Sequence, residues 1–313
     1  MLPFIAYDDP SSGDLYKGKE GGTKQMKVKV NTLKAFAKTP EGGNPAGVVL
    51  ETVGLSPEEM RGIAAKVGFS ETAFVEPSDC ADYRVRFFTP AGEVDLCGHA
   101  TIATFSLMFQ KGMIKPDTLR QETLAGVLDI IVQEEGSIFM EQTLPVFSEI
   151  ISGIEITDTL NLPEDSLRED LPVQIVSTGL RDILVPVRDL KVLHHMEPDF
   201  SRVTETSRKY NAVGYHVFSL ETLYGSTAHC RNLAPLYDIP EESATGTSSG
   251  ALACYLFRYG RLASAKRLVF EQGYCMDQPS EIFAELGTEG DRIIRVLVGG
   301  KALTTGEMHV EIE

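Results

Sequence analysis

The feature that most constrains the fold is a segment that occurs twice, at an offset of 148 residues. The segment CGHATIATFSLMFQKG begins at Cys97, and TGTSSGALACYLFRYG begins at Thr245. The matched positions are an early glycine, a small residue, an aromatic residue and a final glycine: Gly98 and Gly246, Ala103 and Ala251, Phe109 and Phe257, Gly112 and Gly260. Each copy is typical of an apolar helix between two glycines. The repeat predicts two lobes from one duplicated unit, with both helix N-termini facing a shared cleft.

Strand patterns accompany these helices in both halves. KVKVNTLKAFA, ETAFVEP and YRVRFFTP alternate in the first half, and PVQIVST and DILVPV follow in the second. Ser56 is expected to cap a helix that starts at Pro57, and residues 121–144 read as a hairpin with a Glu-Glu-Gly turn. The chain is therefore predicted to be an α+β protein with two pseudo-symmetric lobes.

The length of 313 residues suits two domains of about 150 residues each. We expect an N-terminal extension over residues 1–25 and a first lobe over 26–145. The second lobe is predicted over 146–299. The C-terminal strand, within 300–313, is expected to return to the first lobe.

Composition excludes several classes of protein. A hydrophobic fraction of 42% fits a globular chain, and no apolar run approaches the length of a membrane span. The net charge of −16 disfavours a nucleic-acid partner. Five cysteines without a CxxC pair suggest neither disulfides nor structural zinc, and the first 25 residues do not resemble a secretory signal. We therefore expect a cytoplasmic protein.

Four motifs together resemble the PhzF-like family of phenazine biosynthesis. They are NPAGVVL at Asn44, SETAFV at Ser70, TPAGEVDLCGHAT at Thr89 and APLYDIPEESATGTSSGALACYL at Ala234. The resemblance implies a diaminopimelate epimerase-like fold, in which each lobe is a curled, mostly antiparallel sheet around a central helix. It also implies a small-molecule carboxylate substrate, no cofactor, no metal and a homodimer.

Glu71 is the residue that this resemblance singles out. In the best-understood member of the family, the glutamate of the SET motif is the general acid/base in the isomerisation of a dihydro-hydroxyanthranilate. Proton transfer between carbons needs a carboxylate that takes and returns the proton. We expect partial burial and the Ser70 hydroxyl to raise the pKa of Glu71 toward the working range. Without the motif, the ordinary interpretation is a solvated glutamate at a strand start.

The resemblance also implies a set of substrate-binding residues: Asn44, Gly98, His99, Glu242, Gly246 and Thr247. The helix dipole at His99 is expected to lower the imidazole pKa and keep the ring neutral. Glu242 stands where the family has an aspartate, and Ser243 where it has a proline. Gly246 and Thr247 would offer N–H groups and a hydroxyl to a carboxylate. The alternative for TGTSSG is simple helix capping.

Cys97 suggests a different chemistry. Diaminopimelate epimerases and proline racemases of the same fold place a cysteine before the glycine in each lobe, whereas the second position here is Thr245. A helix start lowers the pKa of a thiol. A Cys97-dependent racemase or epimerase therefore stays open, beside a packed, non-catalytic cysteine. A binding protein without turnover also stays open, because Ser243 and Gln278 depart from the family pattern.

The rest of the sequence offers no competing motif. GxGxxG after a strand, GxxxxGK[ST] and HExxH do not occur, so dinucleotide, nucleoside triphosphate and zinc-protease sites lack support. His194 and His195 lie outside the motifs, and we expect both at the surface.

Overall fold

A computed structural model describes residues 26–262 and 267–312; the predicted extension 1–25 lies outside the described residues. The helices are α1 (Pro57–Val67), α2 (Gly98–Gln110), α3 (Gly153–Thr159), α4 (Leu190–His195), α5 (Phe200–Lys209) and α6 (Gly246–Arg258). The strands are β1 (Met26–Ala35), β2 (Asn44–Val49), β3 (Glu71–Glu76), β4 (Tyr83–Phe88), β5 (Glu93–Val94), β6 (Asp117–Thr123), β7 (Gly126–Val132), β8 (Ile138–Gln142), β9 (Val146–Ile150), β10 (Gln174–Ser177), β11 (Arg181–Pro186), β12 (Gly214–Ser219), β13 (Ala228–Ala234), β14 (Ile239–Glu242), β15 (Leu268–Gln272), β16 (Ser280–Glu289), β17 (Arg292–Gly300) and β18 (Ala302–Ile312).

Local signals fix the ends of α1, as the sequence predicts. The Ser56 side chain accepts a hydrogen bond from the Glu59 N–H, and the Glu59 carboxylate accepts one from the Ser56 N–H. This capping box satisfies two N–H groups that the helix itself leaves unpaired. Pro57 occupies the first turn, and Gly68 ends the helix in the left-handed conformation with φ of 75°. The predicted hairpin also forms, between β7 and β8.

Strand pairing shows the duplication directly. The order along the sheet is β18–β1–β2–β3–β4–β6–β7–β8 in one half and β9–β10–β11–β12–β13–β15–β16–β17 in the other. The halves meet where β8 pairs antiparallel with β17. Each half has parallel pairs at the same two places, β2–β3 and β4–β6 against β11–β12 and β13–β15. All other pairs are antiparallel, so both halves follow one plan.

The two halves exchange a strand. β9 follows β8 along the chain but pairs with β10, at the far end of the second half. β18 follows β17 but pairs with β1, at the far end of the first half. The limits of the lobes that we draw from the sequence remain our proposal.

The core centres on α2 and α6. Residues 100–108 of α2 and 248–256 of α6 are buried, and apolar side chains of both helices belong to one hydrophobic cluster. A helix that is buried on all sides needs an apolar surface all round, which both repeated segments provide. The protein thus has the α+β fold with two pseudo-symmetric lobes, in which each half of the sheet curls around its central helix. Among the described residues, no helix is both long and apolar enough to cross a membrane.

Candidate active site

The N-termini of α2 and α6 open onto one cavity of about 250 Å³. Seven of the residues singled out by the sequence line it: Cys97, Gly98, His99, Glu242, Thr245, Gly246 and Thr247. Glu71 and Asn44 lie outside this lining but contact it, since Glu71 meets His99 and Asn44 meets Glu242. The structure therefore gathers the predicted residues around one site.

Glu71 begins β3, and its carboxylate lies against the imidazole of α2. Its Oε2 atom is 3.2 Å from His99 Nε2, yet this buried oxygen has no aligned hydrogen-bond partner among the described residues. Burial raises the pKa of Glu71, but His99, Ser70 and Cys97 lower it, and the net shift is downward. The expected upward shift is wrong because His99, Ser70 and Cys97 together outweigh burial. Glu71 is therefore the more readily ionised carboxyl of the site.

His99 is the second residue of α2, and its surroundings favour the imidazolium. Burial lowers the pKa of His99, but Cys97 and Glu71, which both contact the ring, raise it well above its usual value. The expected neutral ring is wrong because these two neighbours outweigh both burial and the helix end. His99 can therefore hold a positive charge or donate a proton.

The Cys97 sulfur lies over the His99 ring. Its Sγ is 3.4 Å from Nδ1 and 3.8 Å from Nε2, and such similar distances exclude a position in line with either N–H. Glu71, Cys97 and His99 are also the group within the described chain that could hold a metal ion, since their ligand atoms lie within 4.8 Å of one another. Nitrogen lone pairs lie in the ring plane, so the sulfur is poorly placed to share a metal with this ring. The expected absence of metal and cofactor, and the expected homodimer, stay predictions.

Glu242 ends β14 on the other side of the cavity. It accepts hydrogen bonds from Asn44 Nδ2 at 3.0 Å and from Thr245 Oγ1 at 2.5 Å. Burial raises the pKa of Glu242; Thr245, His99 and Asn44 oppose this shift, while the Glu71 charge adds to it. Gln272 also contacts Glu242, since its Nε2 donates a hydrogen bond of 2.7 Å to the Glu242 carbonyl. Glu242 therefore keeps its proton to a higher pH than an ordinary glutamate.

The first turns of α2 and α6 offer backbone donors to the cavity. Cys97 and Thr245 are the N-cap residues, and within the described part of the chain neither side chain caps its helix. The Thr245 hydroxyl donates to Glu242 instead, so capping by this threonine is not its role. No lysine or arginine is among the residues lining this described cavity. An anion there would depend on N–H groups, the helix dipoles and the protonated ring of His99.

The motifs missed two buried residues behind the cavity, Gln272 and Asp182. Asp182 is 2% exposed and accepts a hydrogen bond from Ser248. Both lie in strands whose sequences are typical of the apolar core. The only sequence signal for them was an acid or an amide within an apolar strand. Gln278, by contrast, lines a separate cavity of about 230 Å³.

His194 corrects a further expectation. Its side chain is half-buried, and its Nε2 lies 3.0 Å from Nε2 of the buried His229. His229 Nδ1 is in turn 2.7 Å from Glu271 Oε2. Only His195 is at the surface, as expected. Helix α4 brings His194 against β13, a contact that sequence spacing does not reveal.

Residues 33–308 match the family described as phenazine biosynthesis-like protein. The chain belongs to this PhzF-like family. It is 36% identical over 286 residues to an uncharacterized isomerase of Deinococcus radiodurans, covering 87% of this chain and 91% of that one. It is 27% identical over 281 residues to the trans-2,3-dihydro-3-hydroxyanthranilate isomerase of Pseudomonas chlororaphis, covering 88% and 96%.

Solved structures agree with this family. The PhzF family phenazine biosynthesis protein of Bacillus anthracis superposes with a TM-score of 0.81 at 33% identity, covering 92% of this chain and all of that one. A hydroxyproline epimerase of Agrobacterium vitis superposes with a TM-score of 0.57 at 15% identity, covering 93% of each chain. The second likeness shows the fold alone, which the PhzF-like proteins share with these epimerases.

Proposed function

We propose that this PhzF-type isomerase moves a proton on a small unsaturated or cyclic carboxylate without a cofactor. One observation carries the proposal: two carboxyl groups at one cavity have pKa values shifted in opposite directions, Glu71 downward and Glu242 upward. Such a pair separates the base from the acid. Glu71 is the proton acceptor in this scheme, and the name of the Pseudomonas relative supports a substrate of this class.

The remaining residues bind and orient the substrate. Glu71 keeps 20% of its side chain exposed and lies beside His99, so it takes the proton at the edge of the cavity next to that ring. His99 stabilises the negative charge that develops when the proton leaves. Asn44 and Thr245 hydrogen-bond to the Glu242 carboxyl, which donates a proton to the substrate or positions it. Gly98, Gly246 and Thr247 provide N–H groups for the substrate carboxylate.

A Cys97-dependent racemase or epimerase is the second candidate. One observation favours it, since Cys97 lines the cavity directly and Glu71 does not. The matching position in the second half is Thr245, whose hydroxyl donates to Glu242, so a second thiol is not in place there. Two-base racemisation by paired thiolates would therefore need a different second base.

Deuterium incorporation in heavy water tests these alternatives. The protein is incubated with trans-2,3-dihydro-3-hydroxyanthranilate and related small carboxylates, and exchange at carbon is followed by proton NMR. We expect Glu71→Gln to slow exchange by at least about 100-fold, because the amide accepts no proton. Cys97→Ser should stay within about tenfold of the wild type.

The matched control is Glu76→Gln, at the opposite end of the same strand, which should exchange like the wild type. Retained exchange in Glu71→Gln would refute the assignment of the base. Loss of exchange in Cys97→Ser alone would establish the thiol chemistry. Tight binding of a carboxylate with no exchange by the wild type would favour a binding protein.

A further inference from the structure

Asp182 is a buried acid directly behind the wall of the cavity. It is the second residue of β11 and is 2% exposed. Its Oδ2 accepts a hydrogen bond of 2.8 Å from Ser248 Oγ, in the first turn of α6. Leu180, two residues before Asp182, and Thr247, the residue before Ser248, line the cavity itself. Asp182 therefore lies against the same helix end that faces the cavity.

The surroundings of Asp182 disfavour its charge. Burial raises the pKa of Asp182 to about 7; the hydroxyl of Ser248 opposes this shift and the charge of Glu242 adds to it. Its partners on the neighbouring strands, Val176 of β10 and Gly214 of β12, carry no titratable group. Ser248 of α6 is its hydrogen-bond donor, and Glu242 of β14 acts on it through its charge.

Pseudo-symmetry places Asp182 on the strand next to the counterpart of Glu71, since β11 corresponds to β2 and β12 to β3. The parallel pair β2–β3 begins with Ala46 opposite Glu71, and the parallel pair β11–β12 begins with Asp182 opposite Gly214. The first residue pair of each parallel ladder thus contains one acid, which is Glu71 on β3 in the first half and Asp182 on β11 in the second. Each acid contacts a residue in the first turn of its central helix, His99 or Ser248.

We propose that Asp182 is a positioning residue that couples the binding of an anionic carboxylate at the α6 end to proton uptake. When Asp182 is protonated, the free N–H groups and dipole of α6 act on the bound anion. When Asp182 is ionised, its charge competes for the same helix end and repels the anion. The inference rests on the proposed function, because it takes a carboxylate at Gly246 and Thr247.

Calorimetry with sodium benzoate as the probe tests this coupling, with benzamide as the neutral control. For the wild type we expect the Kd of benzoate to rise about tenfold between about pH 6 and about pH 8.5, as one linked proton is lost. In Asp182→Asn the rise in Kd should be clearly smaller than in the wild type, because only the other titratable groups of the cavity, His99 and Glu242, then contribute to it. Benzamide affinity should not change with pH in either protein.

Ser248→Ala provides a second variant, which keeps the acid and removes the hydrogen bond to its charged form. In this variant the pH midpoint of the change in benzoate affinity should move upward. It tests the inference even if Asp182→Asn does not fold. Benzoate binding with the same pH dependence in Asp182→Asn, or with none in the wild type, overturns this inference alone. No benzoate binding by the wild type at either pH overturns it together with the carboxylate site.

Discussion

Glu71 and Glu242 lie beside one cavity, and their surroundings shift the two pKa values in opposite directions. The difference comes from partners rather than from residue type. Glu71 lies against an imidazole that favours its charge, whereas Glu242 is buried among the neutral donors Asn44 and Thr245. One fold can thus place a base and an acid on the same substrate at one pH.

The motifs predicted residues that lie close together in the structure, but not their charge states. Asn44, Glu71, His99 and Glu242 do meet around one cavity. The pKa of Glu71 is lowered and that of His99 is raised, opposite to the expectation from sequence, because both shifts depend on contacts between β3 and α2. Such contacts form only when the sheet curls around the helix.

Another buried residue, His216, gives a prediction about pH. Burial lowers the pKa of His216 to about 4, although its hydrogen bond with Asn232 opposes the shift. The folded form thus binds this proton less readily than the unfolded chain, whose histidine titrates near pH 6.5. His216 therefore adds no penalty above about pH 6.5, and it destabilises the fold as the pH falls from there to about 4.

We expect this residue to remove about 3 kcal/mol of the free energy of unfolding between pH 7 and pH 4. Urea unfolding at a series of pH values measures it. His216→Gln should be less stable at pH 7 but should lose less stability on acidification. An equally steep acid decline in both proteins would contradict the assignment to His216.

At the scale of elements, α2 and α6 show how much of the structure a sequence repeat predicts. The repeat predicted two apolar helices with glycines at both ends, and both form as central helices. It could not show that the second helix packs against β17 through a glycine. A Cβ on Gly250 would lie 2.8 Å from Val298 Cγ2 and 3.2 Å from Thr178 Oγ1. This close approach fixes the position of α6 at the cavity.

A matched pair of glycine substitutions tests that packing. Gly62 lies within α1, where an added Cβ would meet nothing within 4 Å. Gly62→Ala should stabilise the protein by about 0.5–1 kcal/mol, through helix propensity. Gly250→Ala has the same propensity gain but should destabilise the protein by about 1–3 kcal/mol, because Val298 must move. Thermal unfolding measures both, and stabilisation by Gly250→Ala would refute the close packing.

At the scale of the whole molecule, the two duplicated halves contribute to one site, and they place different residues at matching positions. Cys97 and Thr245 occupy matching N-cap positions, yet one carries a thiol over an imidazole and the other a hydroxyl that donates to a carboxyl. The exchange of β9 and β18 ties the halves together, so the cavity between α2 and α6 does not depend on a single joining loop. The sequence predicts that the C-terminal strand returns to the first half, and β18 does pair with β1. The order of the other strands depends on pairing across the whole chain, which sequence patterns do not reveal.

The ionisation order of the two glutamates is the central claim, and infrared titration of their carboxyl groups measures it directly. Difference spectra of the wild type against Glu71→Gln and Glu242→Gln assign each carboxyl band, and Asp182→Asn identifies the band of Asp182. We predict that Glu71 titrates below the range of an ordinary glutamate and Glu242 above it. The reverse order, or one midpoint common to both, would contradict the assignment of base and acid.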